Sequence, residues 1–432
     1  MLNIKFIRQN PEIVKKAVKD KRAEVDVDQL LALDERKRHV MTELEAKRAE
    51  QNKRSGEKPS PEEIEALKKF KDEIKILGEE LGRAEEELNK LLWAVPNIPS
   101  ADTPVGSDAS ANKVIRQWGK LPSFNFKPKE HWQLGKELDI IDTEKAAEVS
   151  GTRFSYLKGD LVFLEFALVQ YALAALTDED ILKKIIKKAG LKIPAKPFVP
   201  VMPPVMIRPN VFQKMARLEP KEERYYVASD DIYLVGSAEH TLGPLHMGET
   251  IPENQLPIRY VGFSTAFRRE AGSYGKDVRG ILRVHQFDKV EMESFTVSEN
   301  SVDEQNFFVA IQEYLMQSLE LPYQVVMICT GDMGGPDARQ IDIETWLPGQ
   351  NQYRETHTAD LMTDYQARRL NTRVKRSSKN EFVHMNDATV FAGRTLIAIM
   401  ENYQTEQGTV KVPKILQKYC GIKEIKQPVT GD

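Results

Sequence analysis

Two arginine-bearing segments, far apart in the chain, carry residue types suited to nucleotide chemistry. The first runs from Pro257 to Glu270, ending Ala266-Phe267-Arg268-Arg269-Glu270, and returns from Gly280 to Phe295. The second is Gly393-Arg394-Thr395-Leu396, at the head of an apolar helical stretch. Arginine keeps its proton at physiological pH, so such segments supply fixed positive charge for phosphate groups. Arg394 falls in the first helical turn, where the helix dipole favours an anion.

Strand alternation sorts the first segment. Val261, Phe263 and Phe267 share one face, while Gly262, Ser264, Ala266, Arg268 and Glu270 share the other. On the return strand Leu282, Val284, Val290 and Met292 favour the core side. Arg283, His285, Phe287, Lys289, Glu291 and Glu293 lie opposite. The hairpin therefore offers an arginine for phosphate, an aromatic for a base, and carboxylates for an amine or an adenine N–H. A plain solvated sheet face with surface ion pairs fits the alternation equally well. The tip, Ala271 to Gly280, adds Lys276 and Arg279 among glycines.

The elements that must position these residues belong to a long chain. Its 432 residues suffice for two domains. Charged residues make up 29%, yet the net charge is −3, so any basic binding surface is local. Two cysteines, Cys329 and Cys420, exclude a disulfide framework and a four-ligand zinc site. The N-terminus lacks the apolar run of a signal peptide. The stretch Leu161–Leu176 is short for a bilayer and contains Glu165 and Gln170. The expectation is a soluble cytoplasmic protein that uses no membrane.

Residues 29–93 are dominated by Lys, Glu, Arg, Leu and Ala. Leu67, Phe70, Ile74, Leu77, Leu81, Ala84, Leu88 and Leu91 keep a 3-4 spacing, with a sparser seam at Leu30, Leu33, Val40 and Leu44. Ser55–Pro61 breaks the helix between them, which predicts an antiparallel coiled-coil hairpin roughly 45 Å long. Lys47, Arg48, Lys53 and Arg54 gather towards its tip. They read as a solvated face or as a clamp on nucleic-acid phosphates. A polar linker from Ser100 to Asn112 follows. The expected domains are 1–110, bearing the arm, and 111–432, bearing the chemistry.

At this point the strings resemble a family. Ala266-Phe-Arg-Arg-Glu-Ala-Gly-Ser273 with Val284-His-Gln-Phe-Asp-Lys-Val-Glu291 is similar to motif 2 of bacterial-type seryl-tRNA synthetases, which are class II aminoacyl-tRNA synthetases. Gly393-Arg-Thr-Leu396 with Glu401-Asn-Tyr-Gln404 resembles motif 3, and Pro200-Val-Met-Pro-Pro204 resembles the dimer-interface motif 1. The resemblance covers nearly the whole chain. It implies an α+β fold, with an antiparallel sheet flanked by helices behind a coiled-coil arm that reaches serine tRNA. It implies a homodimer that makes seryl-adenylate from serine and ATP with Mg2+, then charges tRNA-Ser, with tRNA-Sec left open.

Residue by residue, the resemblance assigns Arg268 to the α-phosphate and Arg279 and Arg394 to the distal phosphates. Phe287 and Glu270 take the adenine, with Arg269, Val284, Thr356 and His357 nearby. Glu355 and Thr358 serve magnesium, and Glu239 and Glu291 take the amino acid. The chain departs from the family where selectivity lives. Ser237-Ala238-Glu239 replaces Thr-Ala-Glu, and Asn386-Asp387-Ala388-Thr389 replaces Asn-Gly-Ser-Gly. Counting back from Arg394 without a gap puts Ala388 at the serine-contacting hydroxyl; Thr389 supplies one if the loop shifts. A non-catalytic tRNA-binding paralogue, or an activating enzyme with altered amino-acid or carrier choice, stands as the alternative.

Overall fold

The computed structural model describes residues 1–54, 61–270, 279–377 and 379–427. The chain forms two compact units, Met1–Ile98 and Pro99–Asp432. The turn expected at Ser55–Pro61, the Arg54 side chain and Lys276 of the tip loop lie outside the described residues.

In the first unit two short helices, α1 (Ile4–Gln9) and α2 (Pro11–Asp20), precede two long ones, α3 (Val27–Arg54) and α4 (Pro61–Ala94). Asn3 caps α1 by accepting from the Lys5 N–H, and Pro11 opens α2, where a missing N–H costs nothing. Ion pairs Lys37–Glu85 and Lys47–Glu73, with Arg36–Glu80 beside the first, link the earlier part of α3 to the later part of α4 and the later part to the earlier, so the pair is antiparallel. Its seam is deepest at the base, where Leu30, Val40, Leu44, Ala84 and Leu88 are buried. Nearer the tip Leu67, Phe70 and Ile74 are half-buried. The buried Asp34 is held by a two-pronged pair with Arg8, at 2.6 and 2.9 Å.

The second unit is built on an eight-stranded sheet. In chain order the strands are β1 (Lys113–Trp118), β2 (Val199–Val201), β3 (Ile258–Phe267), β4 (Gln286–Thr296), β5 (Tyr323–Met327), β6 (Arg339–Leu347), β7 (Gln352–Thr363) and β8 (His384–Ala392). Their spatial order is β1-β5-β6-β7-β8-β4-β3-β2. All neighbours are antiparallel except the edge pair β2–β3.

Three helices cover one face: α5 (Asp160–Thr177), α6 (Ser301–Ser318) and α7 (Gly393–Asn402). Leu164, Leu168, Phe307, Ile311, Leu315, Leu396 and Met400 bury against Val261, Val290, Met292, Ile341, Ala359, Ala388 and Val390. Such full burial is worth about 1.5–3 kcal/mol per large side chain. In length and apolarity α5 reaches those of a membrane span, with 44% of the stretch buried inside the unit. Its outer side stays open, with Phe163 and Phe166 57% and 49% exposed.

Two polar contacts from α6 brace the sheet from the helix side and leave the opposite face open. Gln312 on α6 donates to both Thr358 O and Thr389 O, holding β7 and β8 together where their pairing ends. Arg259 at the start of β3 forms a fully buried pair with Glu304 of α6, with nitrogen–oxygen distances of 2.5 and 2.9 Å.

Candidate active site

The open face of β3, β4, β7 and β8 brings the two arginine segments together. Register puts Phe287 opposite Ala266, Lys289 opposite Ser264, and Glu291 opposite Gly262, as alternation requires. Gly262 is needed: a Cβ there would lie 2.7 Å from Leu242 Cδ1. A cavity of about 140 Å³ is lined by Arg268, Glu270, Val284, Phe287, Lys289, Glu355, Thr356, Thr358, Thr389 and Arg394, among others.

Arg268 leaves the end of β3 with its Nε donating to Gly236 O at 3.0 Å and its guanidinium 5.4 Å from the Phe287 ring centre. That anchor fixes the fork and leaves its outer nitrogens to the cavity. Arg394, in the first turn of α7, donates to Glu355 O at 2.9 Å and to its carboxylate at 3.1 Å. Desolvation in the cleft pushes the Glu355 carboxyl up, and Arg394 outweighs it, so the group sits below its ordinary range. Thr358 shares the cavity and bonds Asp360 at 3.3 Å.

Behind the cavity lies a buried, charged floor. Glu291 is fully buried with Lys289 Nζ 2.6 Å away, and the same ammonium donates to Ser237 Oγ at 3.1 Å. Burial raises the Glu291 carboxyl to about 7, against the pull of Lys289. Arg217 stands among four carboxylates: Glu239 at 3.0 Å, Asp337 and Asp360 at 3.3 Å, and Asp387 at 3.5 Å. Burial disfavours an ionised Glu239, yet Arg217, with Lys289, holds its pKa low. Burial, reinforced by neighbouring carboxylates, drives Glu293, Asp360 and Asp387 well above the carboxylate range. His240 accepts the Gly236 N–H through Nδ1, and burial keeps its ring neutral.

Several residues picked from the sequence lie elsewhere. Arg279 packs over the Trp132 ring, 5.4 Å away, and lines a neighbouring hollow. Arg269 is exposed, with its backbone N–H on Glu223 O. His357 is buried on the helix side beside Phe391, with a ring pKa lowered by burial to about 4. Thr356 reaches the cavity wall while its hydroxyl is 2.7 Å from that of Thr345. Ala238 is buried beneath Gly262.

The gapless count back from Arg394 is corrected. Ala388 pairs with Met292 and Ala359 and packs in the core, whereas Thr389 pairs with Glu291 and lines the cavity. A bulge between Val290 and Glu291 moves the register by one residue. Asn386 likewise falls on the core side, donating to Ser294 Oγ at 3.3 Å.

Asp387, Lys289, Arg217, Asp337 and Asp360 escaped the sequence reading as site residues. The alternation Asp387-x-Thr389 beside Glu291-x-Glu293 was the available signal for the first of them.

The sequence model of the seryl-tRNA synthetase N-terminal domain matches residues 1–99, and that of the tRNA synthetase class II core domain (G, H, P, S and T) matches residues 225–403. The serine–tRNA ligase of Thermodesulfovibrio yellowstonii is 38% identical, over 99% of this chain and 100% of that protein. That of Dictyoglomus turgidum is 40% identical, over 99% of each. The crystal structure of seryl-tRNA synthetase from Pyrococcus horikoshii, complexed with ATP, superposes with a TM-score of 0.88 at 38% identity, covering 99% of this chain and 100% of that one. The cytoplasmic enzyme of Naegleria fowleri, in complex with AMP, gives 0.83 at 33% identity, covering 97% and 96%. With relatives at this identity matched from end to end and the arginine segments facing one cavity, the chain belongs to the seryl-tRNA synthetase family.

Proposed function

We propose that this chain activates serine with ATP and ligates it to tRNA-Ser, and that the cavity between Arg268 and Arg394 is where both steps occur. The convergence of Arg268, Phe287, Glu355 and Arg394 on one cavity, with Glu239 and Glu291 buried behind it, carries this reading. Adenine lies on Phe287 near Glu270, the α-phosphate meets Arg268, and the distal phosphates meet Arg394. Arg279, outside that cavity, reaches the phosphates only by leaving Trp132. The serine ammonium sits between Glu239 and Glu291, displacing Lys289 from its pair.

The serine carboxylate oxygen attacks the α-phosphorus, and the bond to pyrophosphate breaks. Arg268 stabilises the charge that develops, because its fork is already fixed by Gly236 O. The terminal ribose hydroxyl of tRNA then takes the seryl group and AMP leaves. No side-chain nucleophile is used. The oxygen donors of Glu355 and Thr358 suit a hard cation, since Arg394 keeps Glu355 ionised. Magnesium bound there would neutralise phosphate charge.

A second copy of the chain covers the edge strand β2. Val199, Met202 and Met206 are 54%, 83% and 48% exposed there, and β2 packs beside α5, which leaves Phe163 and Phe166 open. Sedimentation at micromolar concentration tests the dimer, and a monomer there removes it.

The activity test is amino-acid-dependent ATP–pyrophosphate exchange across serine, threonine, alanine, glycine and cysteine, followed by charging of tRNA. Exchange with serine far above the rest supports the reading. A folded protein that exchanges with none favours the non-catalytic paralogue.

A further inference from the structure

The floor behind the cavity holds more carboxylates than one substrate ammonium needs. Glu239, Glu291, Glu293, Asp337, Asp360 and Asp387 are all buried, and the cations set among them are Arg217 and Lys289. A buried carboxylate is costly unless paired, protonated or met by a ligand. Asp387 is 0% exposed, its one cationic neighbour in this cluster is Arg217 at 3.5 Å, and its oxygens, like those of Glu291 and Glu293, are not satisfied by a well-formed hydrogen bond among the described residues.

Its position is specific. Asp387 pairs with Glu293 on the open face, one step along from Thr389, which pairs with Glu291 and lines the cavity. One oxygen each of Glu239, Glu291 and Asp387 lie within 4.8 Å of one another. In serine the amine and the hydroxyl are on adjacent carbons. An ammonium seated between Glu239 and Glu291 therefore brings the side-chain group beside Asp387.

We propose that Asp387 is a specificity-determining residue that contacts the amino-acid side chain, and that it admits a vicinal diamino acid, 2,3-diaminopropionate, as a substrate alongside serine. The proposal rests on the ammonium placement given under the proposed function. Burial, with Glu239 and Asp360 close by, keeps the Asp387 carboxyl protonated. A protonated carboxyl offers one donor and one acceptor, which is what a hydroxyl needs. Facing an amine instead, the carboxyl gives up its proton and pairs as an anion. Arg217 does not block this, because the ionised Glu239 meets it more closely, at 3.0 Å against 3.5 Å for Asp387. Alanine leaves Asp387 unpaired and is rejected. With the diamino acid, a carboxylate oxygen attacks the α-phosphorus of ATP to form the mixed anhydride. The Pα–O bond to pyrophosphate breaks and its electron pair leaves with pyrophosphate.

The test is ATP–pyrophosphate exchange by the full-length protein with serine, 2,3-diaminopropionate and alanine, in the parent and in D387N. Asparagine keeps the shape and a neutral partner but cannot become an anion. The expected result is parent exchange with the diamino acid within about 100-fold of serine in kcat/KM and well above alanine. D387N should lose about tenfold more with the diamino acid than with serine, the difference between a charged and a neutral hydrogen bond. Unfolding and ATP binding of D387N check that it is folded; if it is not, D387S is expected to show the same differential loss. Normal serine exchange with the diamino acid no better than alanine overturns the proposal, as does an equal loss for both amino acids. Failure of the parent with serine would instead sink the underlying reading of the pocket, and the proposal with it.

Discussion

Lys289 and Glu291 face the same side of β4 with Nζ and Oε2 2.6 Å apart, and Ser237 Oγ lies 3.1 Å from the same ammonium. A lysine of the protein thus occupies the place proposed for the substrate ammonium. The carboxylate is already organised for a cation before serine arrives, and the substrate ammonium takes that place by displacing Lys289.

This relationship has a pH signature. Burial raises the Glu291 carboxyl to about 7, and Lys289 only partly reverses it. Serine's ammonium needs the ionised form. Protonation of Glu291 in the free enzyme therefore removes binding below about pH 7, and kcat/KM for serine in exchange should rise with pH through that point, then level. On the acid limb the slope approaches tenfold per pH unit. A profile flat from about pH 5.5 to 8.5 would remove Glu291 from serine binding.

Arg268 is the group on which adenylate formation most depends. Its side chain lines the cavity, where it meets the face of Phe287 and the backbone oxygen of Gly236. Arg268→Ala should lower serine-dependent exchange by at least about 100-fold, in line with loss of a preorganised donor to developing charge. Its melting temperature should stay close to that of the parent. Normal exchange in this variant would sink the assignment of the α-phosphate site.

The face shared by Arg268, Phe287 and Glu291 was legible in the sequence because a strand has period two, and β3 and β4 are long enough to show it. The coiled-coil seam was legible for a similar reason, being a sustained heptad. Arg217 was not, since its partners Glu239, Asp337, Asp360 and Asp387 come from four separate segments whose meeting only the sheet order creates. The Ala388 assignment failed on a single bulged residue: once Val290 and Glu291 break register, the hydroxyl facing the cavity belongs to Thr389. The exposure of Phe163 and Phe166 was hidden too, because an apolar helix reads the same whether its outer face meets core or another chain.

Thr389 then becomes the hydroxyl to test. It lines the cavity and its backbone carbonyl is held by Gln312. Thr389→Val keeps the shape and removes the hydroxyl. Serine should lose about tenfold in kcat/KM relative to alanine, the scale of one neutral hydrogen bond, while the KM for ATP stays unchanged. An unaltered serine-to-alanine ratio would leave side-chain recognition to Asp387 alone.

Stability should concentrate where β3 meets α6. Arg259 and Glu304 are both fully buried, and Arg259 also donates to Pro194 O and Lys196 O. Glu304→Gln keeps the volume but leaves the guanidinium without its counter-charge. The expected cost is about 3–5 kcal/mol, seen as a lower melting temperature, with serine KM at room temperature largely kept. A melting temperature within about a degree of the parent would mean that the carbonyl partners suffice for Arg259.

The arm's cations divide into engaged and available groups. Lys47 is not a free phosphate ligand: it pairs with Glu73 at 2.5 Å and lies 5.2 Å from the Phe70 ring centre, holding α3 to α4. Arg48 and Lys53 are exposed and point to a role off the arm's own seam. If they neutralise tRNA phosphates, replacing both by alanine should raise the KM for tRNA in charging and flatten its salt dependence by about one to two units of log–log slope. Serine-dependent pyrophosphate exchange, which uses no tRNA, should not change. Lys47→Ala should instead loosen the arm's helix pair, lowering its thermal stability while leaving that salt slope nearly intact. Charging by the Arg48→Ala/Lys53→Ala variant with the parent's KM and salt slope would return these residues to a merely solvated face.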